Sequence, residues 1–264
     1  MIRTLPPLHL AKSPLVLVLC QVRFAPILAM DKYFPRIQDQ LRLKGYPLAK
    51  NTVVHEALFT PTGAETLQRA RWQAQDKTSS RSIVVTENFL VYQTVEYSAF
   101  EAFVRELDLA VATVASEVKE LLIQRVGLRY VDLVRSGNGE TWTDFVQPGL
   151  QGLKSATFVQ GTQSQLYQCV ANTESGTMIV RLFQNREGQV LPPDLTEADD
   201  LKPRINRPLE PKELLTILDL DHFSARQEDY RSGLIAEQAW QLHDDLDQVF
   251  RKSLVTEKAL EAWK

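Results

Sequence analysis

Cysteine, histidine and methionine are scarce in this 264-residue chain, at two, four and three residues. Two thiols, Cys20 and Cys169, cannot build a disulfide framework. No CxxC pair and no HExxH spacing occurs, so zinc-ribbon and zincin chemistry have no support. The eleven glycines form no GxGxxG, Walker A or GxSxG pattern, which removes motif support for nucleotide loops and hydrolase elbows. Neither sign of charge dominates: 30 Lys and Arg stand against 33 Asp and Glu, a net of −3. That balance argues against a general nucleic-acid coat, which needs a concentrated basic surface. Long apolar runs are missing too. "PLVLVLCQV" (14–22) is too short to span a bilayer, follows Pro6, Pro7 and Pro14, and lacks a small-residue cleavage site. It reads as a strand buried on both faces, and both cysteines, set in apolar strand-like runs, read as buried free thiols. A cytoplasmic protein with no membrane segment is expected.

What is present is enough for a core: 44% of the residues are hydrophobic and 24% charged, outside the disordered regime. Periodicity then orders the chain. Residues 14–24 predict a strand. "MDKYFPRIQDQLRLKGYP" predicts a helix with Met30, Phe34, Ile37 and Leu41 on one face, Pro35 in its first turn and Gly45–Pro47 as the stop. "TVVHEALFT" and "TLQRARWQAQD" follow, then "RSIVVT" and "FLVYQTVEY" around a Glu87–Asn88 turn. A long helix follows, capped by Ser98 and striped by Phe100, Phe103, Leu107, Val111, Val114 and Val118.

A similar order then returns. "VGLRYVDLV" predicts a strand and "TWTDFVQPGL" a short helix or turn. "SATFVQGT", "SQLYQCVANT" and "TMIVRLFQN" predict strands, the last two joined through Glu174–Ser175–Gly176. A polar, proline-rich stretch covers 185–212. "LLTILDLDHFSA" and a long helix from Ile235 follow, and a short helix capped by Thr256 ends in Trp263. The fold class is α+β: two related halves, 1–122 and 123–264, each an antiparallel sheet with a long helix packed on it. The first strand of the second half is expected to pair with the first half in one compact body.

Two strand-like runs carry charge among apolar neighbours. Alternation puts Leu218, Leu220 and His222 on one face and Ile217, Asp219, Asp221 and Phe223 on the other. Two carboxylates roughly 6–7 Å apart on one face suit a Mg²⁺ ion with a substrate phosphate, or an acid/base pair. They equally suit internal ion pairs. In "VGLRYVDLV", Tyr130 and Asp132 share a face with Val126 and Leu128, while Arg129 points the other way. Arg129 among apolar neighbours needs a carboxylate or phosphate, which makes it an anion clamp or the partner of Asp219 or Asp221. The candidate ligand-binding set is therefore Arg129, Tyr130, Asp132, Asp219, Asp221 and His222, with no catalytic residue, metal ligand or cofactor assigned.

His243 lies among Asp244, Asp245 and Asp247, none at metal-binding spacing, and reads as part of a solvated helix face. Tryptophans 72, 142, 240 and 263, with Tyr92, Tyr97 and Tyr130, could line a concave pocket but fit core packing better. The 185–212 stretch mixes Asp194, Glu197, Asp199 and Asp200 with Lys202, Arg204 and Arg207, and is the candidate lid or partner-binding element.

The runs "SPLVLVLCQVRFAPI", "VTENFLVYQTVEYSAFEAF", "RVGLRYVDLV", "LDLDHF" and "LHDDLDQVFRKSLVTEKALEAW" span nearly the whole chain. Together they resemble a sporadically distributed family of uncharacterised prokaryotic proteins of about this length. That resemblance implies no catalytic residue; its scattered distribution implies a mobile-element, defence or toxin–antitoxin setting. The expectation is a non-enzymatic binding protein for a protein partner or small ligand, with an exposed edge strand that would permit a homodimer. One alternative is a metal-assisted enzyme acting on a phosphate-containing substrate. The other is an apolar ligand carrier with a helix-over-sheet cavity.

Overall fold

The structure is a computed structural model that describes residues 6, 8–60, 63–135, 137, 139–153, 163–195 and 201–264, without the side chains of 54–60 and 63–69. The chain forms one mixed helix and antiparallel-sheet body. Its strands are β1 (Leu15–Phe24), β2 (Leu48–Thr60), β3 (Gly63–Gln75), β4 (Arg81–Val85), β5 (Phe89–Thr94), β6 (Leu122–Val134), β7 (Gln165–Asn172), β8 (Thr177–Asn185), β9 (Leu215–Ser224) and β10 (Glu228–Asp229). The helices are α1 (Met30–Leu43), α2 (Phe100–Val118), α3 (Trp142–Phe145), α4 (Leu234–Val249) and α5 (Glu257–Trp263). The sheet runs β2-β3-β4-β5-β1-β6-β9-β8-β7, with β10 attached to β6, and every pairing is antiparallel.

The central β1–β6 pair joins the two parts of the chain into a single sheet. Strand order runs outward from β1 as β5, β4, β3, β2 and outward from β6 as β9, β8, β7. The expected strand at 155–162 lies outside the described residues.

Apolar side chains at alternate strand positions build the main core against the helices. Val18, Cys20 and Val22 of β1 join Val126 and Leu128 of β6 and Leu218 and Leu220 of β9 in one buried cluster with α1, α2 and α4. Helix α1 lies over β3, where Phe34 stacks on Trp72 with ring centroids 5.1 Å apart. Helices α2 and α4 meet at Phe100, which packs edge-on against Trp240 at 4.5 Å. The opposite sheet face carries a smaller apolar cluster: Val16, Leu17, Val131, Leu133, Leu215 and Ile217, closed by Leu191. Leu195, Ile205 and Leu209 pack around it, so the polar stretch between β8 and β9 is a strap that seals apolar sheet surface.

Several local expectations change. Pro35 stands inside α1, because the fully buried Met30 anchors the helix start more than a turn ahead of it. Helix α2 starts at Phe100 with Ala99 extended at its N-cap and no side-chain cap; Ser98 does not cap it. Phe100, buried against α4, has to open the apolar stripe, and the chain enters from an extended segment. Cys169 is exposed, since β7 is an edge strand on which Leu166 and Val170 are also 63% and 58% exposed. Cys20 is buried as expected. No helix among the described residues is long and apolar enough to cross a membrane.

Candidate functional site

The six candidate residues divide between the two faces of the sheet, as strand alternation requires. Arg129, Asp219 and Asp221 lie on the strap side. In the β6–β9 register Arg129 stands opposite Asp221, yet its side chain reaches diagonally to Asp219. Nε and Nη2 of Arg129 donate to Oδ1 and Oδ2 of Asp219 at 2.6 and 2.8 Å. Arg181, directly across the β8–β9 register, donates through Nη1 to Oδ2 of Asp219 at 2.9 Å. Asp194, on the short 3-10 turn Pro193–Leu195 of the strap, takes the remaining fork of Arg129 at 2.6 and 3.0 Å.

Asp219 is wholly buried and meets three N–H groups, so both its oxygens are engaged within the protein. Burial alone would lower the Arg129 pKa, but the hydrogen bonds it donates to Asp194 and Asp219 raise it, so the guanidinium stays charged. Asp221 stands apart. Its nearest cation is Arg125, with Nη2 4.0 Å from Oδ1, and burial pushes its pKa up against that pull. Arg125 lies across Gly127, where a Cβ would come within 3.3 Å of Nη1, and covers the Phe223 ring at 4.0 Å. The two aspartates thus do not act as a pair. Among the described residues, no group of three or more His, Cys, Asp or Glu side chains is placed to hold a metal ion.

Tyr130, Asp132 and His222 lie on the helix side. His222 is buried and structural in its bonding: Nδ1 is 3.1 Å from the Leu242 carbonyl and Nε2 is 2.9 Å from the Thr173 hydroxyl. A carbonyl only accepts, so Nδ1 carries the proton and Thr173 donates to Nε2. Burial lowers the His222 pKa, keeping the ring neutral.

Tyr130 and Asp132 instead line a cavity of about 450 Å³ between the sheet and the facing ends of α2 and α4. A β-bulge shapes its floor. Leu15 pairs with Asp132 and Leu17 with Val131, so Val16 is the extra residue, and Leu15 lines the cavity beside Asp132. The α4 side supplies Leu246 and His243, whose ring stacks on Phe100 at 3.9 Å and whose Nδ1 lies 2.9 Å from the Tyr130 hydroxyl. His243 is therefore packed against aromatic rings rather than on a solvated helix face.

After α4 the chain widens into a π-helical turn, Phe250–Leu254, which carries Phe250 and Arg251 into the cavity wall. Arg251 is neutralised by Asp247, with two contacts of 2.7 Å. The segment 8–11 and the terminal Lys264 complete the rim. Asp132 is only 4% exposed and, among the described residues, has no hydrogen-bond or ion-pair partner. Burial pushes its carboxyl pKa up to about 7.

No family model, curated protein or solved structure matches this chain.

Sequence reasoning groups Tyr97 with Tyr130 as possible pocket-lining aromatics while preferring core packing for them, and selects Tyr130 and Asp132 without Phe100, His243 and Leu246, which complete their site. One signal for them was legible, the adjoining positions of Phe100 at the start of one stripe and His243 beside another. It also misses Arg181 and treats Asp194 as loop polarity, although both complete the Arg129 cluster. The strap's Glu197, Asp199 and Asp200, and the side chain of His55, lie outside the described residues.

Proposed function

We propose that this protein is a non-enzymatic binding protein whose ligand is a small molecule held between the sheet and the ends of α2 and α4. The observation that carries this reading is the cavity of about 450 Å³, apolar over most of its wall area, with polar and charged side chains, Tyr130, Asp132 and His243 among them, on the rest. A volume in the range of roughly 300–1,000 Å³ with sparse, placed polar groups is typical of small-ligand sites. The alternative of a protein partner acting through the strap has less support, because the strap's apolar residues are already spent on the sheet. The metal-assisted reading loses its support with Asp219, whose oxygens face arginines. The matching outward strand orders from β1 and β6 support a duplicated origin for the two halves, with the cavity beside their junction.

The test is occupancy. A neutral fluorescent apolar probe such as N-phenyl-1-naphthylamine is expected to bind the folded protein at one site. Leu220→Trp, which fills the cavity from β9, is expected to abolish that binding while far-UV circular dichroism stays unchanged. Binding that survives the substitution would place the probe elsewhere and remove the proposal.

A further inference from the structure

The cavity joins two features, a buried carboxylate with no partner among the described residues and several aromatic rings around it. Asp132 sits on the cavity floor at 4% exposure with no hydrogen bond or ion pair from any described residue. Tyr97 and Tyr130 meet edge to face, with centroids 5.9 Å apart, and Phe100 and Phe250 stand on the helical side. An unpaired buried carboxylate is costly to ionise, and the cost falls when a cation arrives as counter-charge. Aromatic faces attract the same cation through their quadrupoles.

We infer that the cavity selects a small organic ammonium ligand, a protonated amine carried on an apolar or aromatic body, with Asp132 as its counter-ion. This rests on the small-ligand reading above and names the ligand's class. None of the other ionisable groups facing the space is bonded to Asp132. Arg251 is held by Asp247, and Tyr130 bonds to His243. Glu101 lies in the first turn of α2, while His9 and Lys264 belong to the rim; none has a hydrogen bond or ion pair to Asp132. A carboxylate ligand would meet Asp132 as a like charge, and a neutral ligand would leave it without a counter-charge.

Calorimetry with benzylamine, phenethylamine and the neutral isostere benzyl alcohol tests this, at pH 6 and pH 8, on wild type and Asp132→Asn. Both amines stay protonated across that range, as their pKa lies near that of lysine, about 10. Asp132 passes from mostly neutral to mostly ionised, so amine affinity is expected to rise about tenfold from pH 6 to pH 8. Asp132→Asn, a near-isosteric change, should remove that rise and cut the preference for benzylamine over benzyl alcohol at pH 8 at least tenfold. Benzyl alcohol binding as tightly as benzylamine at pH 8, or amine binding indifferent to Asp132→Asn, overturns the ammonium class. In that case the cavity reading survives if Leu220→Trp still abolishes benzyl alcohol binding. Failure of all three probes to bind wild type, together with failure of the apolar fluorophore, overturns both readings.

Discussion

Arg129 and Asp219 form a two-pronged ion pair across adjacent strands, Nε to Oδ1 at 2.6 Å and Nη2 to Oδ2 at 2.8 Å, two register positions off direct opposition. Arg181 and Asp194 extend it into a four-membered cluster of two cations and two anions. The members are unequal. Asp219 is sealed in the sheet, while the side chain of Asp194 is 62% exposed on the strap.

Removing Asp219 leaves the buried Arg129 guanidinium with Asp194 alone and takes the carboxylate partner from Arg181. Asp219→Ala is expected to lower unfolding free energy by about 3–5 kcal/mol, measured by urea denaturation. Asp194→Ala removes an exposed anion and should cost about 1 kcal/mol or less. Its more visible effect should be faster proteolytic cleavage of the strap, which Asp194 pins to Arg129. Equal stability losses for the two variants would mean the cluster is not organised around Asp219.

Asp132 makes an opposite prediction about pH. Its folded pKa, raised to about 7 from an ordinary 3.8, means the native state holds a proton that the unfolded chain has released. Between those values stability falls as pH rises, because the native state binds more protons. The contribution is full below about pH 4 and gone above about pH 7. Asp132→Asn keeps the neutral form at every pH, so it should stabilise the protein at pH 8 by up to about 4 kcal/mol and change little at pH 4. Glu213 works in the other sense. Burial would raise its pKa, but hydrogen bonds from Arg135, the Glu210 amide and Arg207 hold it down to about 2. Its contribution is present above its unfolded pKa and lost as pH falls towards about 2. Subtracting the Asp132→Asn profile from wild type isolates the Asp132 part; a flat difference from pH 4 to 8 would refute it.

The two thiols should react very differently. Cys169 stands exposed on β7, whereas Cys20 is buried in the core and burial pushes its pKa up to about 12. Ellman's reagent is expected to titrate one thiol in the folded protein and two in denaturant, and none in folded Cys169→Ser. Rapid modification of Cys20 in the native state would contradict its burial.

Gly176 in the β7–β8 turn has no space for a side chain. A Cβ there would lie 2.0 Å from the backbone carbonyl oxygen of Phe223 on β9, so the turn or the strand must move. Gly176→Ala is expected to cost about 3 kcal/mol in thermal or urea unfolding. It should also disturb the neighbouring Thr173–His222 hydrogen bond, visible as a shift of the His222 ring resonances. A stability change under 1 kcal/mol would show that the turn relaxes freely.

Much of this architecture was legible because it depends on local periodicity. The strand period of two correctly separates Arg129, Asp219 and Asp221 from Tyr130, Asp132 and His222. The helical stripes from Phe100 and from Ile235 likewise identify which sides of α2 and α4 are buried. Element ends were less legible. Pro35 and Ser98 carry strong local preferences, yet Pro35 stands inside the helix that starts at Met30, and the N-cap of the second helix is Ala99 rather than Ser98.

The sequence by itself determined the elements, their order and the face each side chain takes, since those follow from steric alternation within a few residues. Only the tertiary structure decided which charges are satisfied. Asp219 and Asp132 are both aspartates in apolar strands, and nothing within ten residues of either tells them apart. Strand pairing brings Arg129 and Arg181 to Asp219, and a strap some twenty-five residues upstream of it supplies Asp194. Beside Asp132 the bulge at Val16 and the cavity under the facing ends of α2 and α4 leave open space instead. Alternation offered Arg129 to Asp219 or Asp221 and turned it away from Asp132. But the choice of Asp219, the added Arg181 and Asp194, and the space beside Asp132 lie in contacts between residues far apart in the chain.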